Sequence, residues 1–182
     1  GFLSEAILNY ILLLGWSPKG EQEIFSLDEM IKIWDPSRIS KSPAIFDPLK
    51  LRAINAAYIR ALPAEEFRKL ADPFIDQAVH VQIDRDLLCA NLQPRCEVLE
   101  DIPPQLDFFD AVLPIDAEMY RNKKQKTTPE SAKEALSALL PVLEDQTDWS
   151  RDAIFEACKQ KAEAMEKKNG WLLFPLGIAL SG

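Results

Sequence analysis

Apolar residues recur at spacings of three and four along most of this chain, whereas alternation with a period of two never lasts long enough to specify a half-buried strand. This spacing is typical of helices that bury one face. The chain has 182 residues, 47% of them hydrophobic and 27% charged, so it is long enough to bury a substantial core. We therefore predict an all-α protein, and the composition excludes a disordered or fibrous chain.

Helix caps and helix-breaking residues set the predicted boundaries. Ser, Thr and Asp accept hydrogen bonds from the first free N–H groups of a helix, proline fits the first position, and glycine commonly follows the last turn. These signals predict helices over 4–14, 26–34, 48–61, 129–143 and 150–170, and further helices from Pro63, from Asp72-Pro73 and after Asp84. The predicted caps are Ser4, Ser26 in a capping box, Asp47, Asp84 and Thr128, and the predicted stops are Gly15 and Asn169-Gly170. The first helix has apolar residues on nearly all sides, and Leu87, Leu88 and Leu92 lie on one face of the helix after Asp84. The apolar segment from Trp171 to Leu180 is expected to pack against the rest.

Histidine, cysteine and glycine are too few or too scattered for several common kinds of site. His80 is the only histidine and lies in an apolar run, which predicts a buried or half-buried structural residue and leaves no histidine-rich zinc site. Cys89, Cys96 and Cys158 lack the spacing of a metal quartet and are interpreted as reduced thiols. No glycine belongs to a phosphate-binding loop. The residues therefore predict no metal ligand and no catalytic residue in this chain.

No segment resembles a membrane span or an export signal. The most apolar stretch, from Ile7 to Trp16, is half the roughly 20 residues that a span needs, and Glu5 precedes it instead of basic residues. We expect a cytoplasmic protein that does not bind membranes. Because the chain opens with Gly1-Phe2 and no Met, we also expect it to be a fragment of something longer.

The net charge is −8, from 21 basic and 29 acidic residues, which counts against a nucleic-acid partner. Binding to a polyanion depends on local charge, however, because each bound cation releases counterions. Three basic groupings are candidate phosphate contacts: Arg38, Lys41, Lys50, Arg52 and Arg60; 121–126; and Lys159, Lys161, Lys167 and Lys168. For each grouping alone, a solvated helix face is the simpler interpretation. The acidic pairs 65–66 and 100–101 are interpreted in the same way.

The segment Arg38-Ile39-Ser40-Lys41-Ser42 is similar to the K-M-S-K-S loop with which class I aminoacyl-tRNA synthetases act on ATP. That loop requires a nucleotide-binding core with an H-x-G-H element upstream, and no histidine precedes it here. We therefore predict an ordinary polar loop.

Three stretches, in order, resemble bacterial glutamyl-tRNA synthetases. The first is Gly1-Phe2-Leu3-Ser4-Glu5-Ala6-Ile7-Leu8-Asn9-Tyr10 with Leu14-Gly15-Trp16-Ser17; the second is Ser40-Lys41-Ser42-Pro43-Ala44-Ile45-Phe46-Asp47-Pro48 with Asn55 and Tyr58-Ile59-Arg60; the third is Trp171 with Phe174-Pro175-Leu176 and Ala179-Leu180-Ser181-Gly182. Together they span the whole chain.

The resemblance implies a helical stem-contact element over 1–62, followed by an α-helical anticodon-binding cage with subdomains over 63–112 and 113–182, the last shortened at its C-terminus. It implies a glutamate-accepting tRNA as partner, not DNA, and we expect a monomer. The parent enzyme would use ATP and Mg²⁺ to attach glutamate to its tRNA. This chain would hold neither group and would be inactive alone.

The resemblance also assigns roles to individual residues. Arg95, in Gln93-Pro94-Arg95, resembles the arginine with which discriminating family members contact the third anticodon base, and a guanidinium suits base edges. Lys50 matches a family lysine near the tRNA backbone, and Arg52 and Arg60 complete the predicted backbone-binding set. Two structural alternatives stay open: Arg95 could cap a helix C-terminus, and Lys50 could pair with Asp47.

Two departures from the family pattern affect this assignment. Ala53 stands where relatives can carry a tryptophan, and Gly177 follows Pro-Leu where relatives often carry an anticodon-contacting arginine. Reading of the first two anticodon bases would then rest on residues beyond Gly182.

Two other classes of function remain as alternatives. The acidic charge and the apolar final segment would suit a helical protein-interaction scaffold that binds no nucleic acid. A complete small enzyme would need an acid or base with a perturbed pKa in a pocket, and the sequence offers no candidate for it.

Overall fold

The computed structural model describes residues 1–111 and 114–182 and divides into two compact units, Gly1–Asp110 and Ala111–Gly182. Both units are helical, which confirms the all-α prediction. Over the described residues, β-type pairing is limited to two isolated bridges, Trp16 with Ile39 and Asn122 with Thr127. The predicted division into 1–62, 63–112 and 113–182 stays a prediction, and its second boundary lies outside the described residues.

The first unit contains five α-helices, α1 (Ser4–Gly15), α2 (Leu27–Ile33), α3 (Pro48–Ala61), α4 (Ala64–Ile75) and α5 (Arg85–Leu92). The second contains α6 (Pro129–Glu144), α7 (Arg151–Ala164) and α8 (Asn169–Ser181). Short 3₁₀ turns lie at Pro36–Arg38, Leu99–Asp101, Pro103–Gln105, Asp107–Phe109 and Ala117–Tyr120.

Most predicted caps are present. Ser26 accepts a hydrogen bond from the N–H of Glu29, whose carboxylate accepts one from the N–H of Ser26. The side chains of Asp47, Asp84 and Thr128 likewise accept hydrogen bonds from the first turns of α3, α5 and α6. These caps satisfy N–H groups that have no partner within the helix, which fixes where each helix begins.

Each unit has its own apolar core. In the first, Phe67, Ala71 and Ile75 of α4 are fully buried at four-residue spacing and pack with Ile59 and Ile102. In the second, α6, α7 and α8 contribute Ala135, Leu139, Cys158, Ala162, Trp171 and Leu172. The prediction that the final apolar segment packs against other residues is therefore confirmed.

Helix α1 departs from its prediction at both its cap and its burial. Leu3 occupies the cap position and makes no side-chain cap, so Ser4 is the first helical residue. Only Ala6, Asn9 and Tyr10 are buried, because α3 covers one side of the helix. The other side lines an open apolar groove of about 600 Å³ that α2 also borders.

Asp72-Pro73 does not begin a new helix, because α4 runs through it to Ile75. Proline cannot donate the N–H that would bond to the carbonyl of Lys69. The buried face of α4 continues past Pro73 to Ile75, however, and its burial outweighs that loss. Asp72 accepts a hydrogen bond from Arg85 instead of capping a helix.

Helix α7 ends at Ala164, before the predicted stop at Asn169-Gly170, which lies at the start of α8. Glu166 adopts φ 54°, the N–H of Lys167 donates to the carbonyl of Ala162, and the N–H of Glu166 donates to that of Glu163. This is the Schellman motif, in which glycine is the usual residue at the left-handed position. A glutamate there gave no stop signal in the sequence.

Two further side-chain placements correct the predictions. His80 is exposed, with its side chain 72% accessible, and both its backbone N–H and its ring pair with Asp110. Leu87 is 62% exposed, whereas Cys89 and Leu92 form the buried positions of α5. The apolar run around His80 falls in a loop, so it does not bury the ring.

Candidate nucleic-acid interface

Arg95 lies in the turn that follows α5 and is exposed. Its backbone N–H donates to the carbonyl of Leu92 at 2.9 Å. Over the described residues, its guanidinium makes no hydrogen bond or ion pair. It therefore does not cap the end of α5 and stays available to a ligand.

The side chain of Gln93 attaches this turn to the end of α3. Its Nε2 donates to the carbonyl oxygens of Ile59 and Leu62, each at 2.9 Å. Arg60, which is exposed, lies between these two acceptors in the sequence. The structure thus brings the end of α3 that carries Arg60 and the turn that carries Arg95 into one hydrogen-bonded arrangement.

Lys50 lies in the first turn of α3 and pairs with Glu23, with 2.5 Å between Nζ and Oε1. Asp47 instead accepts the backbone N–H groups of Leu49 and Lys50. Exposed pairs of this kind contribute only about 0 to 1 kcal/mol. A phosphate can therefore replace the Glu23 carboxylate at low cost.

Arg52 is held more firmly, because Nε donates to Glu97 at 2.9 Å and Nη2 donates to Asp101. The hydrogen bonds that Arg52 donates, first to Glu97 and then to Asp101, raise the pKa of Arg52. Successive helical residues advance by about 100°, so Lys50 and Arg52 point to nearly opposite sides of α3. The structure does not bring these two predicted contacts together.

Two buried asparagines, for which the sequence predicted no role, organise this unit. Asn55 is fully buried, accepts the N–H of Leu3 at 2.8 Å and donates to the carbonyl of Glu97 at 2.5 Å. Asn9 is also fully buried, donates to the carbonyl of Glu23 and accepts the N–H of Phe25. Both lay inside the stretches that carried the resemblance, but a polar residue in an apolar pattern does not reveal its partners.

The two departures from the family pattern both lie at exposed positions. Gly177 is in α8, and a Cβ added there would meet nothing within 4 Å. Ala53 is an exposed residue of α3. Neither position is restricted by packing, so a larger side chain would fit at Gly177.

Over the described residues, no group of three or more His, Cys, Asp or Glu side chains is placed to hold a metal ion. The three cysteines are buried and free, and burial raises the pKa of the Cys96 thiol to about 11. None of the described helices is long and apolar enough to span a membrane. Of the four candidate cations, Arg60 and Arg95 are exposed, and Lys50 and Arg52 are half-buried.

Two family models match the chain and together cover almost all of it. The model described as anticodon binding domain matches residues 55–182, and the model described as the catalytic domain of class I tRNA synthetases (E and Q) matches residues 1–53. The two matches meet within α3.

Curated relatives and solved structures agree with these matches. A glutamate–tRNA ligase of Clostridium botulinum is 44% identical over 182 residues, and one of Clostridium kluyveri is 41% identical. These alignments cover 100% of this chain but 38% and 37% of those proteins, so the chain spans under two fifths of their length. A crystal structure of a glutamate tRNA ligase from Elizabethkingia meningosepticum, in complex with its amino acid, superposes with a TM-score of 0.83 at 27% identity, covering 99% of this chain and 36% of that one.

Proposed function

The chain belongs to the anticodon binding domain family, and from that premise we propose that it binds the stem and anticodon of a glutamate-accepting tRNA as part of a longer glutamate–tRNA ligase. The observation that carries the proposal is the 44% identity to glutamate–tRNA ligases across all 182 residues, together with the family match over 55–182. The helical frame and its exposed cations are consistent with that role. The comparisons do not favour the protein-interaction scaffold.

Arg95 is the proposed reader of the third anticodon base. The planar donors of a guanidinium can hydrogen-bond to a base edge and stack on an unpaired base. Three features support the role: exposure, the turn that Gln93 anchors, and the absence of a carboxylate partner among the described residues.

Lys50, Arg52 and Arg60 are the proposed contacts to the tRNA backbone. Lys50 can exchange Glu23 for a phosphate, and Arg60 has no ion pair over the residues described. Arg52 uses two of its five N–H donors on Glu97 and Asp101, which leaves others for a phosphate.

A titration of labelled glutamate tRNA with the chain, followed by fluorescence anisotropy, tests the role of Arg95. Arg95→Ala should lower the affinity by the roughly 5- to 150-fold that corresponds to 1–3 kcal/mol, and should abolish discrimination between third-base variants of the anticodon. Arg68→Ala is the matched control, because this substitution removes the same charge from the same unit. Unlike Arg95, Arg68 already pairs with Asp86 and Asp72. Equal losses in the two variants would refute base reading by Arg95.

The role of Lys50 has a different signature in the same titration. Lys50→Ala should weaken the binding of all tRNA sequences alike. It should also lower the magnitude of the slope of log affinity against log salt concentration by about 0.7–0.9, the value for one phosphate. Glu23→Gln frees the lysine and should strengthen binding. If Glu23→Gln left the affinity unchanged while Lys50→Ala lowered it, exchange of carboxylate for phosphate would be the wrong description.

The longer protein would activate glutamate with ATP and Mg²⁺. Among the described residues, no group of three or more His, Cys, Asp or Glu side chains is placed to hold a metal ion, so we propose that the longer protein holds ATP and Mg²⁺ through residues outside this chain. We propose that the protein acts in the cytoplasm as a monomer and without DNA or membrane partners. Sedimentation of the chain with and without tRNA measures its oligomeric state.

A further inference from the structure

Residues 122–127 form a short loop, here called the lysine loop, in the second unit. Over 121–128 the sequence has four cationic residues and no acidic one, in a chain whose acidic residues outnumber its basic residues 29 to 21. Lys123, Lys124 and Lys126 are all exposed. Within the described part of the chain, none of the three makes an ion pair.

The loop has a fixed backbone. The N–H of Asn122 donates to the carbonyl of Thr127 at 3.1 Å, and the N–H of Thr127 donates back to that of Asn122 at 3.0 Å. The N–H of Gln125 donates to Oδ1 of Asn122 at 3.1 Å. The Gln125 side chain packs so closely on Gly170 of α8 that a Cβ there would clash with it. The lysines therefore extend from a base that is ordered before any ligand arrives.

Several other cations of the protein have carboxylate partners, whereas these lysines have none among the described residues. Arg121, beside the loop, is engaged by both oxygens of Glu118, at 2.8 and 3.1 Å. On the helices, Lys159 pairs with Glu156, and Arg85 pairs with Asp72 and Asp76. Other lysines of this unit, such as Lys133, also make no ion pair among the described residues. The lysine loop is distinguished by three such lysines within 123–126, on a protein of net charge −8.

We propose that the lysine loop contacts the phosphate backbone of the bound RNA through Lys123 and Lys124. This inference rests on the proposed function and adds a second electrostatic contact, in the second unit, to the contacts on α3. Lysine ammonium groups bind phosphates as point charges and carry no base preference, so the loop adds affinity and salt dependence and does not add sequence selectivity.

Salt-dependent tRNA titration of the variant Lys123→Gln with Lys124→Gln tests the inference. Lys126 is left unchanged because its φ of 56° would complicate a substitution. The salt slope should fall by about 1.4–1.8, the value for two phosphates, and the affinity at 0.1 M salt should fall on the order of 10-fold. The matched control is Lys133→Gln with Arg151→Gln, which changes the net charge equally on helices of the same unit.

Acetylation of surface lysines followed by mass spectrometry provides a test without substitutions. With tRNA bound, Lys123 and Lys124 should become protected, whereas Lys133 should keep its reactivity. Equal effects of the two double variants, or no protection of the loop, would overturn the inference while leaving the proposed function intact if Arg95→Ala still weakens binding. If the unaltered chain binds no tRNA at all, both proposals fail.

Discussion

Replacement of Asn55 by alanine should destabilise the first unit more than any exposed polar substitution. The side chain is fully buried and makes two hydrogen bonds, one with the N–H of Leu3 and one with the carbonyl of Glu97. Alanine lacks the side-chain amide that makes both hydrogen bonds, so the N–H of Leu3 and the carbonyl of Glu97 are left without a partner. Each such group costs about 1–3 kcal/mol when buried.

The expected magnitude lies in the lower half of the combined range. Leu3 and Glu97 are only partly buried at these bonds, so water can replace some of the lost interaction. Alanine also has a higher helix propensity than asparagine, by a few tenths of a kcal/mol. We expect a loss of about 2–4 kcal/mol in the free energy of unfolding, which lowers a urea midpoint by about 1–2 M at an m-value near 2 kcal/mol/M.

Urea unfolding followed by circular dichroism measures this loss, and amide hydrogen exchange localises it. The N–H of Leu3 should lose its protection in Asn55→Ala, because its acceptor is gone. Asn91→Ala is the control, since Asn91 is an exposed helical amide with a single hydrogen bond to the carbonyl of Leu87. A loss below about 0.5 kcal/mol, or one equal to that of Asn91→Ala, would refute the view that Asn55 fastens α3 to its neighbours.

Three further predictions follow from local geometry. Glu166→Gly should stabilise the second unit by about 0.5–1 kcal/mol in thermal unfolding, because φ is positive at residue 166. The control Glu163→Gly, within α7, should destabilise the unit by about 1 kcal/mol. A loss of stability in both variants would contradict the left-handed backbone at Glu166. The Cys96 thiol, with its pKa raised to about 11 from a usual 9, should react with a thiol reagent about 100-fold more slowly at pH 8 than in urea, and equal rates would show that it is accessible. Hydrogen bonds from the backbone and then the side chain of His80 lower the pKa of Asp110. The Asp110 carboxylate therefore stabilises the fold above the ordinary aspartate pKa, and this stabilisation is lost as the pH falls through the lowered pKa. In an NMR titration, His80→Ala should raise the pKa of Asp110 only in part, because the backbone donor remains.

Helix starts were the most predictable part of the fold. Ser26, Asp47, Asp84 and Thr128 all cap as predicted, because a cap depends on a side chain and a backbone group three residues apart at most. Helix ends were less predictable. The end of α7 depends on Glu166 in a left-handed conformation that its side chain does not favour, and the sequence pointed instead to Gly170.

The candidate interface could be predicted only in part. Arg95 and Lys50 were selected by resemblance, and their exposure is consistent with a role in binding. The engagement of Arg52 by Glu97 and Asp101 could not be predicted, since these carboxylates lie 45 and 49 residues away in the sequence. Sequence spacing also grouped Lys50 with Arg52, although two helical positions place them on nearly opposite sides of α3.

The junction of the two family matches inside α3 limits how this protein can be divided. A polypeptide cut at residue 55 would begin in the middle of Pro48–Ala61 and would lack the cap at Asp47. It would also lose the contact in which Tyr10 accepts the N–H of Asp47, and the packing of Ala6 and Tyr10 on Ile54. The remaining seven residues of helix are too few to persist in water without tertiary support. The boundary between the two family matches therefore lies inside a single helix. Truncations intended to isolate the residues that match the anticodon binding domain model should keep all of α3, together with α1, which packs against it.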